Sequence, residues 1–413
     1  MFGVLFRVLS DSRLGRWGSC VVAAACGCGT HAEEPRHSKE IPQLVSVAKV
    51  PGDAQDLSGL EGRFSDGTAK NQLGGFSAIA STSTPGRYYV LPDRGPSDGQ
   101  FDYPCRFHEV EISFGGVGKP SEVRFLATRM LTAAGSPLTG LAAAFEELPE
   151  GPRGGRRLDP EGLRVLGDGN LLISDEYGPH LMLFSPAGEL LRQFEVPEAF
   201  RIRNPGLTKQ EENAKNNRGR RGNAGLEGLA LSPDGKRAYA MLQGPLLQDH
   251  AFDAAGKEAG MFLRILEMDL VGNHQRQLAY RLENRKLGIS ALLADDDGTL
   301  LVLERDSEPG DESLCKKIFR IDLREASDIS SLEALSAEHL PAGVRAVRKE
   351  PFLDLLDPAY GLVATIPEKL EGLAWGPRFP SGERCLIVSS DNDFKVAQAS
   401  LFYFFACPAA EPR

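Results

Sequence analysis

The chain has 413 residues, a formal net charge of -10, 41% hydrophobic residues, 45 Gly and 27 Pro. That is ample for a full core, and large all-β folds of this length often form one domain. The acidic balance lacks the basic footprint of a nucleic-acid binder, but an acidic surface can collect divalent cations.

The N-terminus reads as an export signal. Arg7, Arg13 and Arg16 precede a short apolar run from Trp17 to Ala25, and small residues follow. The run is too short to span a bilayer. Residues 1–28 are therefore assigned to the signal, with Cys26 or Cys28 as the candidate lipid-bearing residue of a lipoprotein. Ala, not the usual Leu, sits three residues before Cys26. A linker (29–43), one β-domain (44–407) and a short tail (408–413) follow. The expected location is the periplasm, the outer surface or the medium, with membrane contact only through a lipid anchor.

Five segments share one grammar. They begin at Ser77, Glu161, Glu227, Ser290 and Glu371, each followed by a small residue and a short apolar strand. A turn comes next, containing Gly86, Gly169, Gly235, Gly298 or Gly382. Gly and Asp tolerate the positive φ such hairpins need. A second apolar strand then ends in polar residues: Asp93, Asp175 with Glu176, Gln243, Glu304 and Asp391. The intervals exceed the roughly 40–50 residues of common propeller repeats. They hold a four-stranded blade plus loops, so the expected fold is an all-β propeller. Six blades are expected and seven are the alternative, with one blade assembled from the ends or the long intervals. The closing run from Ala399 to Ala406 is expected to pair with a strand around Leu44 to Val50. Helical insertions are expected over 138–150 and 326–342. The stretch from Pro197 to Asn223 is polar and basic. Past the signal remain Cys105, Cys315, Cys385 and Cys407, which allow three disulfide pairings or four buried thiols.

In a propeller, equivalent residues of each blade ring the central channel. Acidic side chains converging there cannot all stay ionised without a counter-charge. Ca²⁺, with six to eight oxygen ligands, answers that need. Asp93, Glu161, Asp175, Glu304, Glu371 and Asp391 are the candidate metal ligands. Arg94, Arg220, Arg221 and Arg305 are candidate binders of a small phosphorylated substrate, since guanidinium groups suit bidentate phosphate recognition. Glu176, Glu227 and His180 are the candidate catalytic groups. In the alternative reading each carboxylate pins neighbouring backbone amides and the propeller only binds a ligand.

One family carries these motifs together. Gly75-Phe-Ser-Ala-Ile with Asp93-Arg94-Gly95-Pro96, and Asp159-Pro-Glu161-Gly-Leu with Ser174-Asp-Glu176-Tyr-Gly-Pro179, resemble the bacterial phytase-like domain family. So do Asn223 with Gly225-Leu-Glu227-Gly-Leu, Glu304-Arg305-Asp306 and Leu370-Glu371-Gly-Leu-Ala. The resemblance spans roughly Leu57 to Phe404. It implies a secreted propeller with esterase-like activity of phytase, hence phosphoester hydrolysis. Pro92 departs from the pattern, where Ser is expected before Asp93. The sequence lacks a Gly-x-Ser-x-Gly elbow, a Walker loop, a dinucleotide fingerprint and an HExxH motif.

Overall fold

The structure is a computed structural model that describes residues 41–115, 119, 121–145, 155–271, 275–379 and 381–408. The expected export signal, Cys26, Cys28 and most of the expected linker lie outside the described residues, as does the tail from 409. No helix among the described residues is long and apolar enough to cross a membrane.

Five four-stranded antiparallel sheets make up the domain. The first blade runs outward from Phe76–Ser81 through Arg87–Pro92 and Arg106–Ser113 to Glu122–Met130. The second comprises Pro160–Val165, Leu171–Asp175, His180–Phe184 and Leu190–Phe194. Leu226–Leu231, Arg237–Leu242, Phe262–Asp269 and Gln275–Arg281 form the third. Gly288–Ala294, Leu300–Arg305, Lys316–Asp322 and Arg348–Asp354 form the fourth. The fifth has Lys369–Arg378, Arg384–Asp391 and Ser400–Cys407, and its outermost strand is Gln43–Val50 from the chain's start.

The blade count is five, not six or seven. The expected sixth blade drew on the chain ends and the long intervals. The ends instead complete the fifth blade, with Val50 opposite Ser400 and Gln43 opposite Ala406. The intervals are loops. No helix forms over 326–342 or over the described part of 138–150. The main helix is Lys209–Lys215, capped by Thr208, whose side chain accepts from the Glu211 amide.

Each hairpin turn works as its sequence demands. Gly86, Gly169, Gly235, Gly298 and Gly382 all have φ between 68° and 102°. The innermost strands follow one another around the axis and the last packs on the first. Here backbones crowd. A Cβ on Gly162 would lie 2.6 Å from Leu229 Cβ, and one on Gly228 would lie 3.0 Å from Leu292 Cβ. Gly372 is hemmed in by Ser389 and Ile79. The first and fourth blades use Ala78 and Ala291 at this position. A small residue after each Ser or Glu is thus a packing requirement.

The apolar core lies between blades. Ile79, Val90, Ile387, Phe402 and Phe404 form one such layer, and Leu303, Leu373, Val388 and Phe405 another. The four cysteines are buried free thiols. Cys385 and Cys407 sit on neighbouring strands but in different layers, so their side chains point apart and no bridge can form.

The seam between the two ends predicts a marked loss of stability on its removal. Deleting residues 41–50 exposes the edge of Ser400–Cys407 and is expected to cause aggregation and a lower, broader melting transition. Phe402→Ala, with a fully buried ring, should cost about 3–5 kcal/mol in denaturant titration while leaving the sheet spectrum intact.

Candidate functional site at the channel mouth

All five innermost strands carry the same irregularity. The ladder shifts between Phe76 and Ala78, Pro160 and Gly162, Leu226 and Gly228, Ile289 and Ala291, and Leu370 and Gly372. The residues left out of the ladder are Ser77, Glu161, Glu227, Ser290 and Glu371. A β-bulge re-aims the side chain it carries. These five are the starts of the repeat, and all five line the channel.

Above this ring the second strands end. Glu176, Gln243 and Asp93 donate their amides to the carbonyls of Asp159, Gly225 and Gly75. Arg305 pairs with Gly288, and Asp391 with Lys369. The equivalent strand-end residues are therefore Asp93, Glu176, Gln243, Arg305 and Asp391. Their partners two positions before the bulge include Asp159 and Lys369.

The channel widens here into a cup of about 170 Å³. Seven carboxylates and five cationic groups line it. Asp159, Glu161 and Glu176 each bring a carboxylate oxygen within 4.8 Å of the others. Arg94 Nη1 lies 2.5 Å from Asp159 Oδ2 and 3.6 Å from Glu176 Oε2. Arg305 pairs with Glu371, and Lys369 Nζ lies 3.2 Å from Asp391 Oδ2. Gln243 Nε2 donates to Glu227 Oε1 at 2.9 Å. Glu227 Oε2 and Glu371 Oε2 are buried and make no hydrogen bond among the described residues. Among the described residues, Glu161 has no ion-pair or hydrogen-bond partner for its carboxylate.

The electrostatics follow from this crowding. Burial, then the neighbouring Glu227, lifts Glu161 well above the usual carboxylate range. Burial and Glu176 do the same to Glu227. Glu176 is pushed up to about 8 by burial and Asp159, against the pull of Arg94. Burial and Asp391 raise Asp93. The cup holds more negative charge than its cations offset.

Arg164 forms the floor. Its guanidinium donates to Ile79 O at 3.1 Å, Leu163 O at 2.6 Å and Leu373 O at 3.2 Å, and also to Leu292 O. It thereby ties four blades together across the axis and closes the channel below the acids. Burial lowers its pKa to about 10.

Several candidates from the sequence stand elsewhere. Asp175 accepts from the amides of Asp159, Tyr177 and Gly178 and holds the turn. Glu304 accepts from Tyr280 OH and Lys349 Nζ, both at 2.6 Å, inside the sheet layer. Each is one residue short of the channel position, and one step along a strand reverses the side chain. His180 opens a third strand, opposite Asp175, and does not line the cup. Arg220 is buried, pairing with Glu212 at 2.6 Å and donating to Tyr177 O. Arg221 does reach the rim, paired with Glu258 at 2.7 Å. The cup thus gathers Asp93, Glu161, Glu176, Glu227, Glu371 and Asp391 with Arg94, Arg221 and Arg305. Asp159 and Lys369 were missed as site residues, although their place two residues before a bulge Glu was a usable signal.

A family model described as phytase-like, esterase-like activity of phytase, matches residues 71–394. The chain belongs to the phytase-like family. This phytase-like chain is also 28% identical to an uncharacterised secreted protein of Arthroderma benhamiae, over 66% of its own length. It spans 65% of that relative. Among solved structures, the periplasmic gluconolactonase of Pseudomonas aeruginosa is similar at 14% identity and a TM-score of 0.36, covering 89% of this chain and all of that one. A luciferin-regenerating enzyme matches at 13% identity and a TM-score of 0.35, with 80% and 77% covered.

Two substitutions should move stability in opposite directions. In chelator at pH 8, Glu161→Gln removes the cost of burying an acid whose pKa is raised above its unfolded value and should raise the melting temperature by about 2 °C or more. The gain should fade as the pH drops below about 4, where the glutamate becomes neutral in the unfolded chain as well. Arg164→Met strips donors from four carbonyls and should lower the melting temperature by several degrees.

Proposed function

We propose that this protein is an exported phosphoester hydrolase whose reaction centre is the cup at the channel mouth, with a bound Ca²⁺. One observation carries the reading: six bulged or strand-end carboxylates converge in a buried cup, and two of their oxygens are orphaned. A buried acid without a partner is costly, and a shared cation removes that cost. The donor set is all oxygen, as Ca²⁺ prefers. Oxygens sharing one Ca²⁺ at 2.3–2.6 Å lie no more than about 5 Å apart, which fits Asp159, Glu161 and Glu176. These three would hold the ion, with Asp93, Glu371 and Asp391 adding negative charge elsewhere in the same cup. When bound, such an ion polarises a phosphoryl oxygen and lowers the pKa of a water.

The remaining groups divide the other tasks. Arg94, Arg221 and Arg305 line the cup, where they would orient phosphoryl oxygens. Glu227, with one free oxygen and a fixed one held by Gln243, is placed to take a proton from an attacking water. Glu176 is the alternative base. A small phosphorylated substrate, not nucleic acid, suits the net charge of -10. Export is supported by the relative described as secreted and by the N-terminal charge pattern. Retention through lipid on Cys26 or Cys28 is the finer form of that proposal.

A second reading has its own support. Arg94, Arg305 and Lys369 already pair with Asp159, Glu371 and Asp391, so much of the ring is held by internal ion pairs. A purely binding propeller would need no more.

Titrating chelator-treated protein with Ca²⁺ by calorimetry decides the first step. We expect saturable binding with a rise in melting temperature, about 2.7 kcal/mol of added stability at a hundredfold excess over Kd. Glu161→Gln should weaken it at least tenfold. Assays on p-nitrophenyl phosphate, bis(p-nitrophenyl) phosphate and phytate should then show Ca²⁺-dependent release. Ca²⁺ binding with no turnover of any of them favours the binding propeller, and absence of both overturns the proposal.

A further inference from the structure

Asn223 lines the cup and also a neighbouring depression of about 620 Å³, and Arg94 and Glu176 are the other residues the two share. The chain around Asn223 is fixed on both sides. Arg220 is buried on Glu212 and Tyr177 O, and Arg221 pairs with Glu258. The Gly222 amide donates to Asn213 Oδ1 at 2.6 Å, and the Gly225 amide donates to Glu176 Oε1 at 3.3 Å. The half-buried side chain of Asn223 is left over: among the described residues it has no hydrogen-bond partner.

Its backbone adds a second observation. Asn223 sits in the left-handed region, with φ of 54°. Asn enters that region most readily when its short side chain bonds locally, and no such bond forms here. Ser97, Asp98 and Asp393 also have positive φ, but each engages its side chain with a neighbour: Asp66, Arg94 and Lys369 respectively. A residue held in a sparsely populated conformation persists where its surroundings over-determine it, and such residues cluster at ligand sites.

The charges of the cup indicate what the free amide is for. Arg94, Arg221, Arg305 and Lys369 are each paired with an acid, so they meet a ligand only with the N–H groups left over. Seven carboxylates already supply acceptor oxygens in excess. An uncommitted donor is the scarcer group, and the Asn223 amide is one. We propose that Asn223 is a substrate-binding residue of the cup, whose side-chain amide donates to a phosphoryl oxygen of the ester. The role rests on the cup being a Ca²⁺-dependent phosphoester site. It adds a neutral donor that the fixed chain holds in place before the ligand arrives, at no further cost in ordering.

The test uses the full mature protein, with calorimetric binding of Ca²⁺ and then of phenylphosphonate to the Ca²⁺-loaded protein. In Asn223→Gly the backbone keeps its conformation without strain, so we expect an equal or higher melting temperature and unchanged Ca²⁺ affinity. Phenylphosphonate should bind about tenfold more weakly, the loss expected for one hydrogen bond to a charged group. Asn223→Asp keeps the size but exchanges the donor for a negative charge, so it should weaken phenylphosphonate further than Asn223→Gly does. Equal phenylphosphonate affinity in wild type and Asn223→Gly overturns the role of Asn223 and leaves the phosphoester site standing. Weaker Ca²⁺ binding in Asn223→Gly with tighter Ca²⁺ binding in Asn223→Asp overturns it too, because that pattern marks an oxygen ligand of the ion. Wild-type protein that takes up Ca²⁺ but no phenylphosphonate overturns the phosphoester site, and the role of Asn223 with it.

Discussion

Five innermost strands share one axis, and their closeness governs the rest of the molecule. Where they meet, Gly162, Gly228 and Gly372 have no room for a Cβ, and Ala is the largest residue used in the other two blades. Just before each small residue the ladder slips by one. The slip releases a single side chain from the sheet and turns it to the axis. Packing and site are thus the same device: the bulge that lets the strands crowd together also delivers Ser77, Glu161, Glu227, Ser290 and Glu371 to the channel.

Charge balance then divides the ring into settled and unsettled parts. Arg94, Arg305 and Lys369 each hold an acid. Arg164 seals the floor through backbone carbonyls and, among the described residues, pairs with no carboxylate. Glu161 and Glu227 stay uncompensated, and both are driven toward the neutral form. Buried ion pairs are weak evidence for stability, but an unpaired buried acid is a strong sign of something else expected at the site. This asymmetry, more than the number of acids, is what supports the proposed cation centre over a ring of structural pins.

Register explains which candidates reached the site. Hairpin strands were legible because turn glycines and apolar runs are local signals. Their paired ends were legible only to within one residue. Asp175 and Glu304 adjoin Glu176 and Arg305 in sequence, yet they face the opposite side of the sheet. Arg220 and Arg221 are likewise neighbours, one locked onto Glu212 inside a loop and the other at the rim. Nothing local distinguishes such pairs. Asp159 and Lys369 lay in plain view two residues before a Glu-Gly step, but their role depends on which residue the bulge leaves out.

The sequence by itself determined the hairpin module, its five copies, the closing strand pair and the convergence of Glu161, Glu227 and Glu371. These follow from turn chemistry and from a repeat, both of which act over a few residues. Only the tertiary structure decided that the ring closes at five blades, because the chain ends complete the fifth and add no sixth. It also decided which residue of each neighbouring pair faces the axis and that an arginine stops the channel beneath them. Those outcomes depend on pairing between strands hundreds of residues apart, such as Val50 with Ser400, and no local signal encodes such a distance.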